Sequence, residues 1–146
     1  LSQMTGIPVV NLGVSGNTSM QALARIDEVL KQKAFIVLIE FGANDFFRKI
    51  PISKTKKTIE QIVDKIQDTR AAAVIISTED SQLPELYKTL KKISEDKDAG
   101  FIDGMLNEIW QDRDLFYDEL HPNSLGYRKA AEKIYKALKP MIVSGY

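Results

Sequence analysis

No cysteine occurs in the sequence, which excludes disulfides, thiolate metal centres and a cysteine nucleophile. Net charge is missing too: 20 Lys and Arg balance 20 Asp and Glu, so neither a nucleic acid nor an anionic membrane surface is indicated as a partner. No apolar run approaches the roughly 18 residues of a membrane span, and no signal peptide is visible. Internal repeats, low-complexity tracts and Pro/Gly/Ser-rich linkers are likewise absent. What is present is an ordinary globular composition, 44% hydrophobic and 27% charged over 146 residues. That is one domain, 1–146, long enough to bury a core without metal or disulfide staples.

Short continuous apolar runs alternate with helical periods, the pattern of an α/β domain with a largely parallel, doubly covered sheet. Ile7 to Leu12, Phe35 to Phe41, Ala71 to Ser77 and Gly100 to Ile102 are the expected strands. The most apolar, Phe35 to Phe41, is expected to be central. Crossover helices are expected around Leu23, Ile26 and Leu30, around Ile59, Ile62, Val63 and Ile66, and around Leu83, Leu86, Leu90 and Ile93. A last amphipathic helix is expected from Asn123 to Val143, presenting Tyr127, Ala131, Ile134, Leu138 and Ile142 on one face. Leu1 to Gly6 has the pattern of the final turn of a helix stopped by a C′ glycine. The expectation is therefore an N-terminally truncated domain, with a preceding strand and most of its helix, roughly 30 residues for a βαβ unit, not included.

Parallel sheets place ligands at the carboxyl ends of their strands, which directs attention to three segments. Asn11-Leu12-Gly13-Val14-Ser15-Gly16-Asn17-Thr18 follows the first run, Gly42-Ala43-Asn44-Asp45 the second, and Asp118-Glu119-Leu120-His121-Pro122-Asn123 precedes the last helix. His121 is the sole histidine. A carboxylate three residues earlier can hold one imidazole nitrogen and leave the other as a general base. A surface histidine beside a helix capped by Asn123 has the same spacing. Asn44 can donate its amide to a developing oxyanion, and Gly13 and Gly16 allow close backbone approach. Turn chemistry alone also favours both patterns.

Together the three segments resemble the blocks of the SGNH (GDSL-type) hydrolases, named for a Ser, a Gly, an Asn and a His. The resemblance spans Val9 to Tyr127, includes Gly126-Tyr127, and in wording is most similar to the thioesterase I, lysophospholipase and arylesterase group. It implies a flavodoxin-like three-layer α/β sandwich and a serine esterase, lipase or thioesterase working through an acyl-enzyme. It implies Asp118 and His121 as catalytic, Gly16 and Asn44 as the oxyanion hole, a small ester or thioester as substrate, and no metal or cofactor.

The family's Gly-Asp-Ser nucleophile block occurs nowhere in the sequence. Its place in the family is at the end of a strand before the glycine block, between the strands starting near Ile7 and Phe35. The nucleophile is thus expected upstream of Leu1, and these residues alone are expected to be inactive. The expected strand would be supplied by an N-terminal segment, on this or another chain, or by a swapped copy; otherwise the two flanking strands pair directly. Ser15 half matches a Gly-x-Ser-x-Gly elbow, but Asn17 stands where the last glycine belongs. Ser77 and Ser124 read as strand-end and helix-start residues. Alternatives from another class are a non-catalytic flavodoxin-like ligand-binding domain, with Gly13 to Thr18 cradling a phosphate, and a serine-less family member.

Overall fold

The computed structural model describes residues 1–78, 83–119 and 121–143. Five consecutive apolar residues, Ala72–Ile76, form a strand buried along its whole length, as expected of a strand covered on both faces. This strand, β2, pairs in parallel with β1 (Ile36–Ile39) on one side and with β3 (Gly100–Ile102) on the other. Ile39 stands opposite Ile75, and Ile76 opposite Ile102. In chain order the helices are α1 (Ser2–Thr5), α2 (Ser19–Ala24), α3 (Ile26–Leu30), α4 (Ala43–Phe47), α5 (Ile52–Gln67), α6 (Pro84–Asp96) and α7 (Ser124–Val143).

The period-two alternation of the strands sorts their side chains into two cores. Val37, Ile39, Ala73 and Ile75 pack with α2, α3, α5 and α6. Ile36, Leu38, Val74, Ile76 and Ile102 pack with Leu1 and α7. The result is the three-layer α/β sandwich. Helix α5 carries most of the first interface. Its Ile59, Ile62, Val63 and Ile66 recur at three and four and are almost wholly enclosed, each side chain stabilising the fold by about 1.5–3 kcal/mol before entropy is charged. Helix α1 ends at Gly6 with φ 68°, as the C′ glycine predicts. Among the described residues no helix is long and apolar enough to cross a membrane.

Three expectations are corrected. Ile7–Leu12 is not a strand: it makes no ladder, and Ile7, Val9 and Val10 are 44%, 50% and 58% exposed. Strand β1 is not central but stands at the sheet's edge. One cause serves both. A cleft of about 740 Å³, lined by Val9 and Val10 on one wall and by Ile36, Leu38, Ile134 and Ile142 elsewhere, separates the segment from β1. Neither finds a backbone partner across it, and direct pairing of the two is excluded. Third, α7 is rotated at its start: Gly126 and Ala130 are buried while Tyr127 is 53% exposed. Gly126 backs directly onto the Leu115 carbonyl, a contact that only a glycine allows.

Candidate active site

The chain leaves Leu12 in a tight turn. The Asn11 side-chain oxygen accepts from the Gly13 N–H at 2.9 Å, and the Asn17 N–H donates to the Val14 carbonyl at 3.2 Å. Gly16 has φ +76°, in the left-handed region where a Cβ is strained. Thr18 and Gln21 then form a capping box at the start of α2, and Thr18 and Ser19 are buried.

The segment after β1 grips this turn. The Asn44 amide donates one hydrogen to the Asn17 carbonyl at 3.1 Å, which fixes the side chain and leaves the second hydrogen available to a ligand. Arg48 donates to the Gly16 carbonyl at 2.9 Å. Asp45, only 1% exposed, accepts from the Ser19 N–H at 2.8 Å, from the Ser19 hydroxyl, and from the Thr55 hydroxyl at 3.2 Å. A buried carboxylate persists only with such donors around it. Gly16 and Asn44 are thus brought together, on one frame pinned by Asp45. Glu40, at the end of β1, opens to the cleft, yet the protein packed around it pushes its carboxyl above the ordinary 4.5.

The third segment belongs to an excursion that leaves the carboxyl end of β3. Its beginning is tied to the end of β2 by hydrogen bonds from Met105 N to Ser77 O and from Leu106 N to Thr78 O. Leu106, Ile109, Leu115, Phe116 and Ala130 give it a small core of its own, and Trp110 meets Phe116 edge to face at 5.3 Å. On that base the Asp118 carboxylate accepts the His121 backbone N–H at 2.7 Å and lies 2.8 Å (Oδ2) and 3.0 Å (Oδ1) from the His121 Nδ1. A proton on Nδ1 directed at the carboxylate leaves Nε2 as the basic nitrogen. The His121 side chain is 65% exposed, so Nε2 is reachable. Asn123 caps α7, accepting from Leu125 N and Gly126 N, and its own amide donates to the Asp114 carbonyl. Leu120, inside this block, lies outside the described residues.

Of the three segments only Gly42–Asp45 directly follows a strand, β1, and through Asn44 and Arg48 it holds the Asn11–Thr18 turn; the Asp118–His121 segment lies on the excursion after β3. Ser77 is buried with its hydroxyl accepting the Gly104 N–H, as a strand-end residue should. Ser15 is exposed on the turn. The sequence reading assigned no role to Asp45, Ser19, Thr55 or Arg48. The one available signal was an acidic residue directly after an apolar strand and Asn44.

Comparison with known proteins shows what the chain as a whole is similar to. The GDSL-like Lipase/Acylhydrolase family matches residues 1–129. The chain is 30% identical to the thioesterase 1/protease 1/lysophospholipase L1 of Escherichia coli strain K12, over 92% of this chain and 68% of that protein. It is 34% identical to an arylesterase of Vibrio mimicus over 48% of this chain and 36% of that protein. Among solved structures it resembles the psychrotrophic esterase EstA from Pseudoalteromonas sp. with a TM-score of 0.80 and 30% identity, covering 91% of this chain and 77% of EstA. A structure of TesA shares the fold with a TM-score of 0.82 at 21% identity, over 92% of this chain and 79% of that one. The chain therefore belongs to the GDSL-like lipase/acylhydrolase family and is a carboxylic ester hydrolase of that type.

Proposed function

We propose that the complete protein is a serine esterase or thioesterase in which this chain supplies every catalytic group except the nucleophile. The observation that carries the reading is the Asp118-His121 pair, whose Nδ1 is held by a carboxylate while its other face is open. The nucleophile is a serine upstream of Leu1, in a Gly-Asp-Ser block, and the substrate is a small ester or thioester. His121 Nε2 removes the serine proton as the serine oxygen bonds to the substrate's carbonyl carbon. The resulting oxyanion takes hydrogen bonds from the Gly16 N–H and from the free hydrogen of the Asn44 amide. Collapse breaks the ester or thioester bond, and the leaving alkoxide or thiolate receives the proton from His121. Water, deprotonated by the same nitrogen, attacks the acyl-enzyme and releases acid and serine. Asp118 stabilises the imidazolium throughout.

The test uses the complete gene product and short p-nitrophenyl esters. Asn44→Ala should lower kcat by about 10²–10³ with a smaller change in KM, because the bond forms mainly in the transition state. A fluorophosphonate label, located by peptide mass spectrometry, should fall upstream of Leu1. Labelling at Ser15, or an Asn44→Ala enzyme with parental kcat, refutes the assignment.

A further inference from the structure

Two hydrogen bonds reach the Gly16-Asn17 carbonyls from outside the turn, one from the start of α4 and one from its C-cap. Asn44 grips the Asn17 carbonyl and Arg48 grips that of Gly16. Arg48 lies one helical turn beyond Asn44, its N–H bonded to the Asn44 carbonyl at 3.1 Å. We propose that Arg48 is a positioning residue, holding the Gly16 peptide so that the Gly16 N–H keeps a fixed place relative to the Asn44 amide. This rests on the reading of Gly16 and Asn44 as the oxyanion donors.

The turn needs such a hold. Its flanking Val14 and Ser15 are exposed, so packing does not fix it, and glycine is the residue with the widest choice of backbone angles. The Gly16 N–H and carbonyl flank the same Cα, so a turn that is closed at Asn17 and tethered at the Gly16 oxygen has little freedom left at the Gly16 nitrogen. A guanidinium is suited to the task. It is always charged, and hydrogen bonds from a charged donor are stronger than neutral ones. Its anchor is firm, because Asp45, between Asn44 and Arg48 on α4, is tied to Ser19 and Thr55. Preorganised donors lower a barrier only when they are already aimed, so loosening the tether reduces turnover without removing a binding contact.

The experiment compares Arg48→Ala, Arg48→Lys and Asn44→Ala in the complete gene product, with p-nitrophenyl acetate and with a p-nitrophenyl ester bearing a carboxylate in its acyl chain. Arg48 is exposed, so Arg48→Ala should keep the parental thermal transition. It should lower kcat about tenfold on both esters, with KM changed by less than about threefold. Arg48→Lys should recover most of that loss, since an ammonium can reach the same carbonyl with one donor. An Arg48→Ala kcat within twofold of the parent, beside the expected loss in Asn44→Ala, overturns the positioning role and leaves the oxyanion reading standing. A loss confined to the anionic ester, or carried in KM, overturns it in favour of substrate-charge recognition. No loss in Asn44→Ala overturns the oxyanion reading itself, and this inference with it.

Discussion

Replacing Asp45 by alanine is the substitution expected to be most damaging to the fold for its size. Three donors converge on this buried carboxylate, the Ser19 N–H and hydroxyl and the Thr55 hydroxyl. The alanine variant leaves all three without an acceptor. A hydroxyl can turn toward another partner, but the Ser19 N–H is fixed by the start of α2. An unsatisfied buried group costs about 1–3 kcal/mol, and with partial relaxation of the hydroxyls the total should be about 3–5 kcal/mol. Asparagine is the informative control: its oxygen can still accept from the Ser19 N–H, while its amide donates to hydroxyls that reverse their roles. That variant should lose only about 1–2 kcal/mol, one ordinary hydrogen bond's difference with some mismatch. Urea unfolding reports both as shifts in midpoint at constant slope. Thermal scans should show roughly 6–20 °C for the alanine variant, given about 2–4 °C per kcal/mol at this size. An alanine variant within about 1 kcal/mol of the parent would refute the claim that the carboxylate ties α4 to α2 and α5.

Two further outcomes follow from local geometry. A Cβ on Gly126 would lie 2.2 Å from the Leu115 carbonyl oxygen and 2.9 Å from Pro122 Cβ, so Gly126→Ala should destabilise by about 1–3 kcal/mol, outweighing the gain of up to about 1 kcal/mol that alanine brings to a helix. It should also depress kcat, because Leu115 and Pro122 bracket Asp118 and His121; an unchanged or raised melting temperature would contradict this. Glu40 tests the pH dependence of folding: although it opens to the cleft, the protein packed beside it raises its carboxyl above 4.5, so the folded state binds the proton more tightly than the unfolded chain. Its favourable contribution is present below pH 4.5 and is lost as pH rises through the folded value. Glu40→Gln, which mimics the protonated form, should stabilise the protein at pH 7 and be neutral in acid; urea midpoints at the two pH values decide it.

Features with a local cause were legible in the sequence. Ile59, Ile62, Val63 and Ile66 announce the buried face of α5, Ala72–Ile76 reads as a covered strand, and Gly6 marks the end of α1. The spacing of Asp118 and His121 likewise foretold a contact that three residues of chain can make. What escaped depends on partners distant in sequence. Ile7–Leu12 has the composition of a strand, but a strand exists only against another, and the cleft withholds one. The apolar character of β1 says that its side chains pack on both faces of the sheet, where Val37 and Ile39 join one core and Ile36 and Leu38 the other, not its rank in the sheet. The tilt that exposes Tyr127 is set by how closely Gly126 meets Leu115, which no periodicity encodes. Asp45 and Arg48 were visible as letters, but their partners lie 26 and 32 positions away.

That separation gives the two sides of the site different histories. The Asp118-His121 contact closes a loop of three residues, whereas the bonds that fasten the turn at Gly16 and the start of α2 to α4 join residues 26 to 32 apart. Short loops close in tens of nanoseconds or less, while distant contacts wait for whole elements to dock. A nascent or partly melted chain can therefore hold the Asp118-His121 contact before the turn at Gly16 is fastened to α4. In the proposed mechanism hydrolysis is then a late property of the finished fold, and residual turnover of the complete gene product under stress measures how much of it has both halves assembled.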